Sequence, residues 1–372
     1  MLLAVLGTMH VKANIMTSVQ TSARAAILMD QYGQVLYAYN EDVALPMAST
    51  TKIMTALVAL ELATPELRLT VPKDAVGVEG SSAYLIEGEQ LTLLTLLYAL
   101  MLQSANDAAV AIAIGVSGSV DAFVAEMNRK ANALGLSYTR FTNPHGLDDP
   151  EHYTSASDLA KLTAYALNNP LFARIVSTLR YQAPVEESDS VRLFVNHNRL
   201  LREYDGCVGV KTGYTKRTGR CLVSAATRDG ITLIAVTLDD PNDWQDHKRL
   251  LDFGFSCCQS VTLSPADGIY AAVPIVGGQN ASVHCESRED VVVTLPQNSK
   301  VEMYIELPRF VYAGVSKGQK LGRAVWYLNG TVIAELPLYA VEDSTAIEHP
   351  PSLWERIVEF FVQIGRFIIE LF

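Results

Sequence analysis

The sequence is short of basic residues. Lys and Arg number 29 against 40 Asp and Glu, a formal net charge of −11. Phosphate recognition needs clustered Lys and Arg, so nucleic acid is excluded as a partner class. No internal apolar run reaches the roughly 18 residues of a membrane-spanning helix. The five cysteines, Cys207, Cys221, Cys257, Cys258 and Cys285, fit no CxxC zinc spacing. Their odd count leaves at least one thiol unpaired, and the ordinary role for most of them is that of small buried apolar residues. A disulfide stays open. Charged residues are 19% of the chain and apolar ones 49%, too apolar for a disordered chain and ample for a core. At 372 residues, two domains are expected.

The N-terminus lacks the basic region of a complete secretory leader, but Met1 to Gly7 is apolar and Val11-Lys12-Ala13 suits signal-peptidase cleavage after Ala13. Residues 1–13 are therefore expected to be a leader remnant, the alternative being a buried first strand. Strands are expected at Ala25 to Met29 and Gln34 to Tyr39, around the turn Asp30 to Gly33. Ser49 to Ala63, Leu91 to Leu102, Asp107 to Gly115, Val120 to Leu134 and Ser157 to Asn168 read as helices. Ser49 starts the first of these, where its hydroxyl also suits a cap. Strand character returns at Gly206 to Thr212, Cys221 to Thr227 and Ile231 to Leu238, with Asp229-Gly230 as a tight hairpin, and Trp244 to Phe255 closes the region as a helix. Strands at both ends with helices between them predict an α/β (α+β) domain over 14–259, an antiparallel sheet covered by a helical block.

From about Ser260 short β-prone runs alternate with Gly, Pro and Asn, and Asn329-Gly330 is a strong hairpin signal. Residues 260–341 are expected to form a small all-β domain, a sandwich, followed by a polar linker over 342–352. In 353–372, Leu353, Trp354, Ile357, Val358, Phe360, Phe361, Ile364, Phe367, Ile368, Leu371 and Phe372 fall at helical spacing against a polar face of Glu355, Arg356, Glu359, Gln363, Arg366 and Glu370. That pattern predicts an amphipathic helix lying in a membrane interface; a helix docked on a core or a partner is the alternative.

Three short pieces carry chemistry. In Ser49-Thr50-Thr51-Lys52 the serine and lysine share a helix face. A serine hydroxyl needs a base, and a lysine serves only when desolvation or a second cation lowers its pKa. The apolar stretch Ile53 to Leu62 offers the desolvation. In Ser104-Ala105-Asn106 a second hydroxyl can relay a proton, and the amide can position the lysine and a substrate carbonyl. In Lys211-Thr212-Gly213, Lys211 adds the second cation, Thr212 can hydrogen-bond a carboxylate, and Gly213 lets substrate backbone lie along the strand. Each piece alone is equally a capped helix, a polar loop or a strand end.

In this order and on these elements, S-x-x-K, S-x-N and K-T-G form the pattern of penicillin-recognising serine enzymes. The sequence resembles the low-molecular-mass penicillin-binding proteins, the serine-type D-alanyl-D-alanine carboxypeptidases, over nearly its whole length. Pro46-Met47-Ala48, Asn143-Pro144-His145-Gly146-Leu147 and Gly209-Val210 belong to the resemblance, as do the β-domain and terminal helix. It implies a β-lactamase/transpeptidase-like domain, an acyl-enzyme on Ser49, Lys52 as base, and Ser104, Asn106 and Lys211 for proton handling and substrate binding. Thr212 and Gly213 join the substrate site. The backbone N–H groups of Ser49 and Tyr214 become the oxyanion hole; Tyr214 stands where some members have His. It implies no metal or cofactor, a peptidoglycan stem ending in D-Ala-D-Ala as substrate, β-lactams as inhibitors, and a peripheral position on the outer face of the cytoplasmic membrane. His145 has no carboxylate or metal-ligand spacing beside it and is expected to be structural. A class A β-lactamase would need a deacylating Glu, and no Glu-x-x-x-Asn lies between Asn106 and Lys211. An endopeptidase or transpeptidase of the same fold, or a silent peptidoglycan-binding scaffold, are the other readings.

Overall fold

The computed structural model describes residues 19–184 and 191–347, the backbone of Leu2–His10, and Trp354, Ile357, Val358 and Val362. Two compact units divide the chain: residues 10–261 with 294–299, and residues 1–9, 262–293 and 300–372.

The first unit is built on a five-stranded antiparallel sheet, in the order Val35–Tyr39, Ala25–Asp30, Ile231–Leu238, Gly219–Arg228, Cys207–Thr215. The strand carrying Lys211 is thus an edge, open along one side. Asp30 makes the first turn by accepting the N–H groups of Tyr32 (2.9 Å) and Gln34 (2.8 Å) with one carboxylate oxygen. Asp229-Gly230 forms the expected hairpin, pairing Arg228 with Ile231. The Lys211 strand does not stop at Thr212, as expected, but continues to Thr215, because Tyr214 and Thr215 keep pairing with Arg220 and Gly219.

The helices Lys52–Leu62, Leu93–Leu102 and Asn106–Ser117 have few polar positions, and their buried residues share one core with the inner sheet face. A helix apolar on all sides has to be buried on all sides. Val120–Ala133 and Ala156–Leu167 are amphipathic and cover this core. Ser119, Ser155 and Thr92 cap their helices by accepting an N–H from the first turn. The helix Pro170–Ser177 was not expected; Asn169 caps it and Pro170 stands at its first position. The antiparallel pairing of Arg180–Pro184 with Val191–Val195 was not expected either. Among the described residues no single helix is long and apolar enough to cross a membrane.

The helix Asp243–Ser256 packs Leu250 and Leu251 on the other sheet face, against Leu28, Leu222 and Leu233. His247 ties it to the sheet, Nδ1 to Ser224 Oγ at 2.6 Å and Nε2 to Thr237 Oγ1 at 3.0 Å. The ring is fully buried, and desolvation pushes its pKa down to about 3.

Residues 262–293 and 300–347 of the second unit are all-β, as expected. Its seven-stranded sheet runs Leu2–His10, Lys300–Leu307, Lys320–Leu328, Thr331–Ala340, Ser282–Glu286, Tyr270–Val276, Val311–Tyr312, and Asn329-Gly330 makes the hairpin Leu328 to Thr331. The last pair is parallel. Cys258–Ser264 pairs separately with Val291–Pro296. The expected cleavage point at Ala13 and most of the expected terminal helix lie outside the described residues.

The state of His247 predicts an acid limb in stability. Between pH 6.5 and about 3 the unfolded chain binds this proton and the folded chain does not, so stability falls with pH by up to about 1.4 kcal/mol per unit. Asp30, pushed up to about 6 by burial, acts in the opposite sense between 3.8 and 6. Thermal melts of His247→Gln from pH 7 to 4.5 are expected to fall less steeply than those of the native protein; parallel curves would refute this.

Candidate active site

The chain turns sharply before the nucleophile candidate. Ala48 has φ +47°, a backbone region unfavourable for a residue with a side chain. Ala48–Thr51 then form a single 3₁₀ turn, and the α-helix begins only at Lys52. This corrects the expectation of a continuous helix from Ser49 with the serine as its cap. The Ser49 side chain caps nothing, and its Oγ lies 2.9 Å from Lys52 Nζ instead.

Lys52 is fully buried. Its Nζ also lies 2.7 Å from Asn106 Oδ1 and 2.5 Å from the carbonyl oxygen of His145. Those two oxygens can only accept. A neutral amine has two N–H bonds and one lone pair, so the two carbonyl oxygens take both N–H groups and the lone pair is left for the Ser49 O–H. The electrostatics favour that form. Desolvation is the largest effect and Lys211 the next, and together they hold the Lys52 pKa well below its usual value; Asp107 opposes them. Lys211 is itself buried, donates to the carbonyl of Thr212 at 2.8 Å, and is pushed down to about 7 by desolvation.

Asn106 does not lie in a loop, as expected, but opens the helix Asn106–Ser117. Its amide nitrogen donates to the carbonyl of Glu79 at 2.5 Å and its backbone N–H to that of Ser81 at 2.7 Å. Next to it, the buried Asp107 carboxylate accepts from Ser82 Oγ and from the N–H groups of Ala83, Leu85 and Ala108. One helix start therefore holds both Lys52 and the loop carrying Ser81. Ser104 also has a left-handed backbone, φ +60°. Gly213 passes close to the nucleophile turn; a Cβ there would stand 3.1 Å from Ser49 N and from Met47 O.

Ser49, Ser104, Thr212, Gly213 and Tyr214 line one cleft of about 290 Å³, together with Ser81, His197, Arg220, Asp243 and Trp244. Lys52, Asn106 and Lys211 lie buried beside it. The sequence pattern missed the second group. Arg220 pairs with Asp243 at 3.0 Å and lies 5.8 Å from the Trp244 ring; its position directly across the ladder from Tyr214 was the available signal. The His145 side chain, expected to be structural, accepts the N–H of Leu147 at Nδ1, and burial, with Lys52 nearby, pushes the ring down to about 3. What was missed is its backbone carbonyl, a partner of Lys52.

The coupling of the two lysines can be read directly. Titration of ¹⁵N-labelled lysine side chains by NMR is expected to find Lys52 well below 10.5 and Lys211 near 7. In Lys211→Gln the Lys52 midpoint should move upward, because a nearby positive charge is gone; an unmoved midpoint would overturn the coupling.

Comparison with known proteins finds similarity over most of the chain. Residues 11–242 match the family model for D-alanyl-D-alanine carboxypeptidase (peptidase S11), and residues 259–346 match the C-terminal domain of penicillin-binding protein 5. The chain is 33% identical over 334 residues to the D-alanyl-D-alanine carboxypeptidase DacF of Bacillus subtilis, covering 86% of this chain and 85% of that one. It is 33% identical over 361 residues to DacC of Escherichia coli, covering 92% and 89%. The structure of penicillin-binding protein 5 from Haemophilus influenzae superposes with a TM-score of 0.64 at 30% identity, over 89% of this chain and 99% of that one. The chain belongs to the peptidase S11 family of D-alanyl-D-alanine carboxypeptidases.

Proposed function

We propose that the chain removes the terminal D-alanine from peptidoglycan stem peptides through an acyl-enzyme on Ser49. The observation that carries this is the buried Lys52 amine, 2.9 Å from Ser49 Oγ with its other two directions taken by carbonyl oxygens. Lys52 takes the Ser49 proton as the oxygen attacks the carbonyl of the penultimate D-alanine. The N–H groups of Ser49 and Tyr214 receive the developing oxyanion; such a donor is worth about 3–4 kcal/mol of barrier. Ser104 passes a proton to the leaving amine, and Asn106 holds Lys52. Lys211 and Thr212 attract and bind the substrate carboxylate, and Gly213 leaves room for its backbone. Water then cleaves the ester. β-Lactams enter as substrate mimics that acylate the same oxygen.

The same reading places the protein outside the cytoplasmic membrane after export, with residues 353–372 lying in the membrane interface. In support, Trp354, Ile357, Val358 and Val362 are helical and exposed, Trp354 at 72%. Each large apolar side chain that enters the interface contributes at most about 1.5–3 kcal/mol.

A labelled penicillin is expected to add one acyl group to the native chain by intact mass and none to Ser49→Ala, and the native chain should release free D-alanine from diacetyl-L-Lys-D-Ala-D-Ala. Equal labelling of Ser49→Ala would remove the nucleophile. Labelling without D-alanine release would point to a different acyl transfer. Deleting Ser352 to Phe372 is expected to abolish flotation with anionic liposomes and leave peptide hydrolysis intact; equal flotation would refute the anchor.

A further inference from the structure

The peptide unit joining Ala48 to Ser49 holds the Ala48 carbonyl and the Ser49 N–H in one plane, pointing in opposite directions. Orienting one fixes the other. The Ala48 carbonyl oxygen accepts the Thr51 hydroxyl at 2.7 Å. Thr51 Oγ1 lies 2.7 Å from Nε2 of His152, 101 residues further along the chain. The ring's tautomer follows from its other nitrogen: Nδ1 faces the backbone N–H of Thr142 at 3.0 Å and must accept it. Nε2 therefore carries the proton and donates it to Thr51, which donates its own to Ala48. Three donors line up in one direction, each polarising the next.

The surroundings hold this chain of bonds in place. His152 and Thr51 are buried. Phe141 and the imidazole pack as a T-shaped pair, with ring centres 5.8 Å apart. Gly146 abuts the Ala48 carbonyl so closely that a Cβ would come within 2.0 Å of the oxygen and 2.8 Å of Thr51 Oγ1. Ala48 keeps its left-handed backbone under these constraints, and such a conformation persists only where its surroundings over-determine it. At the nitrogen end of the same peptide unit Gly213 passes Ser49 N.

We propose that His152 is a positioning residue for the oxyanion hole: acting through Thr51, it holds the Ala48–Ser49 peptide in the orientation that aims the Ser49 N–H at the oxyanion. It touches no substrate. Without the imidazole N–H, Thr51 loses the donor that fixes its hydroxyl, and the peptide plane is free to rotate away from the geometry that the transition state needs. The proposal rests on Ser49 being the nucleophile, which the penicillin adduct tests separately.

The experiment compares an oxo-ester substrate with its thiono counterpart, whose sulfur is a poor guest for an oxyanion hole. His152→Leu keeps bulk and removes the donor; Thr51→Val removes the hydroxyl; His152→Gln keeps an N–H donor. In the full-length protein, His152→Leu and Thr51→Val are expected to slow acylation by the oxo ester about 10- to 100-fold, below the loss of a whole donor, while the thiono ester changes far less. The oxo/thiono ratio should then collapse, and His152→Gln should bring it back towards the native value. Equal losses on both esters, or an unchanged ratio beside a lowered melting temperature, would overturn the proposal and leave His152 a packing residue. If His152→Leu fails to fold, Thr51→Val and His152→Gln decide. A native chain with no Ser49 adduct would overturn the nucleophile instead.

Discussion

The site depends on one constraint: a lysine amine held away from water beside a serine hydroxyl. An ammonium in an apolar interior costs several kcal/mol even after relaxation, so the amine sheds its proton. Lys52 is fully buried at the start of a core helix, and the oxygens it meets are placed so that a neutral amine satisfies all of them. The low polarity of Leu93–Leu102 and Asn106–Ser117 is therefore part of the chemistry as well as of the packing.

Bringing that amine to an open sheet edge requires backbone to approach backbone. The nucleophile turn sits between the loop of Gly146 and the strand of Gly213, and at both places a methyl group would collide with or crowd the turn. Ala48 and Ser104 have left-handed backbones, each at a cost of about 1–2 kcal/mol. Ala48 directly precedes Ser49, and Ser104 is itself assigned a proton-relay role two residues before Asn106. Local strain and close approach thus occur together where direction matters more than stability.

The legible part of this arrangement lay in side-chain chemistry at short spacing. Ser49 with Lys52, Ser104 with Asn106, and Lys211 with Thr212 and Gly213 could be read because each group is local and each residue type has a recognisable task. Helices with long apolar faces and the turns Asp229-Gly230 and Asn329-Gly330 were legible for the same reason. The 3₁₀ start at Ala48 was not, since Ala-Ser-Thr-Thr has no backbone signature of its own. Nor was the His145 carbonyl, because every residue has one. His152 meets Thr51, and Arg220 meets Asp243, only through tertiary folding. The strand Tyr270–Val276 carries Pro274, a residue that argues against a strand until the pairing is seen.

The base also sets a cost for the whole fold. Between pH 7 and 10.5 the unfolded chain binds a proton at Lys211 that the folded chain does not, so stability from this residue rises with pH across that window and is diminished at neutral pH by about 5 kcal/mol. Lys52 acts with the same sign. A domain of ordinary stability has only about 5–15 kcal/mol in total. A unit can bury Lys52 as a neutral amine and hold the Lys211 proton only weakly if it has a large surplus of apolar burial, and the shared helix–sheet core supplies it. Replacing either lysine by an apolar residue of similar length would remove this desolvation cost together with the base or the cation, so the depressed pKa values mark where this chain gives up stability for reactivity.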